Sequence, residues 1–116
     1  MKYVQPSPMK RSEILAVLGD ESSQPSDRID AILSAIFYDE RTSFSGDLLI
    51  EEFKNSRYPE KSDLMNLFGT FYGMHQTFYR IDDSIAALRM YAVSNHSLHE
   101  EIGMAIDELF EHKTGV

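Results

Sequence analysis

Ile29, Ile32, Leu33, Ile36 and Phe37 stand at i, i+3, i+4, i+7 and i+8 of one segment. Only a helix gathers that spacing onto a single face, and a helix with such a face has to bury it against a neighbour. The same period continues through most of the chain, so it narrows the folding choices more than any other feature.

The spacing predicts a first helix over about 8–18, with Ser7 as N-cap, Pro8 in the first turn and Ile14, Leu15 and Leu18 as its apolar stripe. Gly19 is read as a left-handed stop. A polar linker over 19–25 carries both strong breakers, and the second helix follows with Ser26 as cap, ending near 39–41. A further polar break is expected over 42–46, with Phe44-Ser45-Gly46 leading into a third helix over about 47–56. That helix turns Leu48, Leu49 and Phe53 inward and Glu51, Glu52 and Lys54 mostly outward, and Tyr58-Pro59 ends it. The fourth helix starts after Ser62 and runs to about Tyr79; it is apolar on more than one face, the pattern of a central, most buried helix. A break near 80–82 precedes a fifth helix over about 83–94, with Ile85, Leu88, Tyr91 and Ala92 at core spacing and Asn95 as its stop. The last helix opens on Ser97-Leu98-His99-Glu100, the spacing of a capping box, and repeats Leu98, Ile102, Ala105, Ile106, Leu109 and Phe110 on one face.

Alternating strand patterns and two-residue hairpin signals are absent. The expected fold is therefore all-α, a compact single-domain bundle of five or six helices over residues 1–116. Residues 1–25, a basic helix followed by the breaker-rich linker, are the part expected to be most loosely attached. The chain has no cysteine, which excludes disulfides, thiolate chemistry and cysteine-ligated zinc. No apolar run approaches the ~18 residues of a spanning helix. Residues 1–10 lack the apolar middle of a signal peptide, so a cytoplasmic location is expected.

The 19 acids and 11 bases leave a net charge of −8, with histidine neutral. That sign disfavours direct binding to nucleic acid or to an anionic membrane. The imbalance is local: residues 12–53 hold ten acids against two bases. Neighbouring carboxylates such as Asp82-Asp83, Glu100-Glu101 and Asp107-Glu108 read as solvated faces and helix-start charges rather than acid–base pairs. The four histidines, His75, His96, His99 and His112, form no H-E-x-x-H and no paired E-x-x-H, so no metal or other cofactor is expected. Nucleophile-elbow, S-x-x-K and phosphate-loop motifs are missing too, and a non-enzymatic protein is expected.

Five of the 13 aromatic residues fall within residues 67–79, where Gly69 and Gly73 are four apart and share one helical face. Two glycines there predict a close neighbour: a crossing helix, a second copy in a homodimer, or a ligand held by Tyr72, His75 and Tyr79. The function expected first is that of an acidic helical module binding another, basic protein. An inhibitor or immunity-type protein masking a nuclease or nucleic-acid-binding protein is its sharpest form. The acidic face expected to meet that partner comprises Asp39, Glu40, Asp47, Glu51 and Glu52. The alternatives are a small-ligand or regulatory domain using the aromatic helix over residues 64–79, and a structural oligomeric subunit.

Overall fold

The periodic segments form six α-helices and no strand among residues 6–55, 58 and 61–115, which are those a computed structural model describes. They are α1 (Arg11–Gly19), α2 (Pro25–Tyr38), α3 (Thr42–Lys54), α4 (Ser62–His75), α5 (Ile81–Ser94) and, after one 3₁₀ turn (His96–Leu98), α6 (His99–Thr114). The fold is the expected all-α bundle.

Several boundaries differ from the expected ones, each for a local reason. Helix α1 begins at Arg11 with Lys10 as N-cap. Ser7 and Met9 lie outside it because they are bonded to α2: the Met9 N–H donates to Ser34 Oγ (3.0 Å), which donates to the Ser7 carbonyl (3.0 Å). Gly19 closes α1 without a positive φ, and Asp20 is the C-cap. Pro25 is the first residue of α2 and Gln24 its N-cap, so Ser26 lies inside the helix. The break expected over 42–46 is the first turn of α3. Ser45 and Gly46 are buried there, and their small size serves close packing rather than a loop. Helix α3 ends at Lys54; Ser56 and Pro59 lie outside the described residues. Helix α4 stops at His75, four residues before Tyr79, because Gln76 takes a left-handed conformation (φ 50°). Arg80, also left-handed (φ 49°), then starts α5 at Ile81. Asn95 does stop α5, its side-chain amide donating to the Tyr91 carbonyl (2.9 Å). The capping box at Ser97 does not form, since residues 96–98 wind into the 3₁₀ turn and Leu98 becomes the N-cap of α6.

Helix α4 holds the centre, as its many-sided apolar pattern predicts. It contributes Leu64, Met65, Leu67, Phe68, Phe71 and Tyr72 to the main core, and it packs against α2, α3 and α6. Phe53 of α3 stands edge-on between Phe68 (5.1 Å) and Tyr91 (5.4 Å), the arrangement favoured by the ring quadrupoles. A smaller cluster forms where Ile14 of α1 meets Ala31 and Ala35 of α2. Arg28 completes that contact from within. Its side chain is 1% exposed, and its guanidinium donates to the carbonyls of Val17 (3.2 Å), Leu18 (2.7 Å) and Asp20 (3.1 Å). Of these, the Leu18 carbonyl has no backbone donor among the described residues, while those of Val17 and Asp20 also accept the N–H groups of Asp20 and Ser23.

The close approach predicted for Gly69 and Gly73 occurs at a different glycine. A Cβ at Gly73 would meet nothing within 4 Å, and one at Gly69 would meet only the Glu108 carboxylate (2.7 Å), the movable end of a long side chain. At Gly46 it would lie 2.8 Å from the Tyr79 ring and 2.9 Å from Phe71. Both rings are held, Phe71 by burial and Tyr79 by its hydroxyl bond to Asp47 (2.8 Å). Gly46→Ala should therefore cost at least about 1 kcal/mol in urea unfolding despite alanine's better helix propensity. Gly73→Ala should leave stability unchanged or raise it by up to ~1 kcal/mol. Equal effects at the two positions would contradict this packing.

Candidate functional site

Of the five carboxylates expected on one acidic face, four are occupied by arginines: Asp47 and Glu51 stay together beside Arg80, while Asp39 and Glu52 join other arginines. Asp39, at the end of α2, accepts both Nε (2.5 Å) and Nη2 (2.7 Å) of Arg11 and the Arg41 N–H (2.9 Å). The Arg11 guanidinium holds the Asp39 carboxyl well down, to about 2. Asp47 lies 3.0 Å from Arg80 Nη1 and accepts the Tyr79 hydroxyl (2.8 Å). Glu51 stands 3.5 Å from Arg80 Nη2, and Asp83 binds Nε of the same guanidinium at 2.8 Å. One arginine at the α4–α5 turn thus serves three carboxylates, and its bonds to Asp83 and Asp47 raise its pKa further above the usual arginine value.

Glu52 is the plainest departure from expectation. It was placed outward by its polarity; the structure buries it, with a side chain 10% exposed. Its Oε2 accepts Arg28 Nε (3.1 Å) and the Tyr58 hydroxyl (2.5 Å), and its Oε1 accepts Arg28 Nη2. Burial and the adjacent Glu52 carboxylate push the Tyr58 hydroxyl up to about 12. Of the five, Glu40 alone is exposed and outside any ion pair among the described residues.

The alternative face over residues 64–79 is likewise turned inward. The Tyr72 hydroxyl is buried between the Tyr79 carbonyl (2.7 Å) and Ser84 Oγ (2.8 Å), and burial raises its pKa. His75 Nε2 donates to the Ile36 carbonyl (2.9 Å), and Tyr79 is committed to Asp47. Gly73 is exposed, so it does not share a packed face with Gly69.

Among the described residues, all five carboxylates of α6 lie outside ion pairs, as do six in residues 12–53. Between α4 and α6 runs an open groove of about 940 Å³. Its α6 wall carries Glu101, Asp107, Glu108 and Glu111, with Met104, 68% exposed, projecting among them. Its α4 wall is Ser62, Met65, Asn66, Phe68, Gly69 and Thr70. Among the described residues, no basic side chain lines it. The bases of the last turns of α6 point away: His112 Nε2 donates to the Thr77 carbonyl (2.7 Å) and Lys113 pairs with Asp82 (2.5 Å). The sequence reading took these acids for a solvated face. The missed signal is their recurrence at 101, 108 and 111, facing an α4 stripe of small and polar residues at 62, 66, 69 and 70.

Among the described residues, no three histidines or carboxylates lie together as metal ligands, and no helix is long and apolar enough to cross a membrane. Comparison with family models, curated proteins and solved structures finds no match for the chain.

Two outcomes follow from the paired carboxylates. Glu52→Gln leaves the Arg28 charge buried without its partner and should cost ~3–5 kcal/mol in urea unfolding, whereas Glu51→Gln should change stability by less than about 0.5 kcal/mol. Similar values for the two variants would refute the burial of Glu52. Asp39 has a native pKa below its unfolded value, so its pair with Arg11 contributes in full above about pH 4 and is lost as pH falls toward about 2. Stability measured across that window should fall less steeply in Asp39→Asn than in the native chain.

Proposed function

We propose that this protein is a non-enzymatic binding module whose α4–α6 groove receives a basic segment of another protein. The observation that carries the reading is the groove's described lining: four carboxylates and no base among the described residues, in a chain that pairs Asp39, Asp47 and Glu52 internally. Concentrated negative charge speeds the approach of a cationic partner and selects against anionic ones. Exposed Met104 offers an adaptable apolar contact within that charge, suited to the aliphatic stems of lysine and arginine. The same chemistry suits an inhibitor or immunity-type protein that masks the cationic cleft of a nuclease or nucleic-acid-binding protein. The acidic surface expected over residues 39–52 is replaced in this reading by the α6 wall. The aromatic face has no comparable claim, because the polar tips of Tyr72, His75 and Tyr79 are bonded within the fold.

The test is fluorescence anisotropy with a labelled peptide rich in arginine and lysine, repeated across ionic strength. Binding should weaken steeply as added salt shortens the ~10 Å screening length of 0.1 M solution. Glu101→Lys combined with Glu108→Lys should weaken it about tenfold or more, as expected when more than 1.4 kcal/mol is lost. Glu21→Lys combined with Glu40→Lys, the same change of net charge on two exposed acids outside the groove lining, should change it little. Equal losses in the two double variants would mean that net charge alone is being read and would overturn the groove as the site.

A further inference from the structure

A hollow of about 500 Å³ opens between the end of α3 and α5. That volume lies within the ~300–1,000 Å³ range of small-molecule sites. Its apolar wall is formed by Phe53, Ala87 and Met90, and Lys61 and Tyr91 are among its polar lining residues. Lys61 lays its ammonium over the rings of Phe53 (5.3 Å) and Tyr91 (5.9 Å) and donates one N–H to the Phe53 carbonyl. An ammonium has three donors. Lys61 forms no ion pair and no second side-chain hydrogen bond among the described residues, so two N–H groups remain. Partial burial lowers its pKa, as for a cation short of hydration. The Tyr91 hydroxyl accepts the backbone N–H of Lys61 (3.2 Å), and its own proton has no acceptor among the described residues. At the rim, Asp83 is bound by Arg80 (2.8 Å) and Lys54 faces Glu51 (4.0 Å). Lys54 and Asp83 of the lining carry opposite charges, so the described lining has a net charge of one positive, with the Lys61 ammonium and the Tyr91 hydroxyl beside the apolar wall, in a chain of net charge −8.

We propose that this hollow binds a small monocarboxylate with an apolar body. One carboxylate oxygen takes a free N–H of Lys61 and the other takes the Tyr91 O–H, while the apolar body lies along Phe53, Ala87 and Met90. A net charge of one positive over Lys54, Lys61 and Asp83 matches a single negative charge. A dianion such as phosphate brings a second charge in excess of it, and a neutral amide or alcohol leaves the Lys61 ammonium unanswered. The inference does not depend on the α4–α6 groove, which shares no lining residue with this hollow.

The experiment titrates the full chain with benzoate and with hexanoate, followed by ¹H–¹⁵N correlation spectra. Benzamide and hexan-1-ol are the neutral counterparts, and inorganic phosphate is the anion without an apolar body. Both carboxylates should give saturable shifts centred on Lys61, Ala87, Met90 and Tyr91, and the other three probes should bind about tenfold more weakly or not at all. Lys61→Met should abolish the carboxylate response in a chain whose remaining spectrum is unchanged. Tyr91→Phe removes only an oxygen and should weaken both carboxylates severalfold, which keeps the test decisive if Lys61→Met does not fold. The proposal is overturned if neutral probes shift the same resonances with equal affinity, if phosphate matches benzoate, if no probe saturates, or if the folded variants bind as the native chain does.

Discussion

The guanidinium of Arg28 is the interaction on which the rest of the structure depends. Its five N–H groups are all used, on the carbonyls of Val17, Leu18 and Asp20 and on both oxygens of Glu52. One side chain on α2 thereby closes the end of α1, grips α3, and through Glu52 reaches the Tyr58 hydroxyl. Only arginine can do this, since a rigid fork of five donors serves several acceptors at once where an ammonium offers three. A buried pair of this kind contributes little over an apolar replacement, yet removing one partner costs ~3–5 kcal/mol, because the other charge is left unsolvated. Its role here is register: α1 meets α2 through only Ile14, Ala31 and Ala35 among fully buried side chains, a patch too small to set its own position.

Two further arginines repeat the pattern at the surface. Arg11 ties the start of α1 to the end of α2 through Asp39, and Arg80 ties the α4–α5 turn to α3 through Asp47 and Glu51. Each spends carboxylates on joining elements. Four of the ten acids in residues 12–53 are in ion pairs with arginines, and six remain outside ion pairs among the described residues, beside the five of α6. A count of charges along the sequence cannot show which acids meet an arginine far away in the chain.

The apolar period was enough to find all six helices, the central place of α4 and the stop at Asn95. It failed where small or polar residues do the packing. Thr42, Ser45, Gly46, Leu49, Ile50 and Phe53 form one continuous stripe of α3, but its first half reads as a loop because hydroxyls and glycine carry no hydrophobic signal. Arg28, Ala31 and Ala35 form a second buried stripe on α2 in the same way, and the cue to Arg28 is that it is one of only two bases among residues 12–53. Glycine spacing also misled: Gly69 and Gly73 share a helical face, yet the ring contact is at Gly46, whose neighbours Phe71 and Tyr79 are distant in sequence. Of the candidate site, the residue type was legible and the location was not.

Helix α6 shows why that location matters. Asp107 and Glu111, and Glu108 and Glu111, stand four and three residues apart, spacings at which like charges cost ~0.2–0.5 kcal/mol per pair in an isolated helix. The last turns of the same helix carry Lys113 and His112, but Lys113 is drawn to Asp82 and His112 is bonded to the Thr77 carbonyl, so neither relieves the groove. Meanwhile Ile102 and Leu109 bind α6 into the core, so the helix cannot turn its acids away from α4 without exposing them. The groove's charge is held in place by packing on the far side of the helix. A cationic occupant would remove that repulsion at its source, and under the proposed reading it would tighten the α4–α6 contact instead of competing with it.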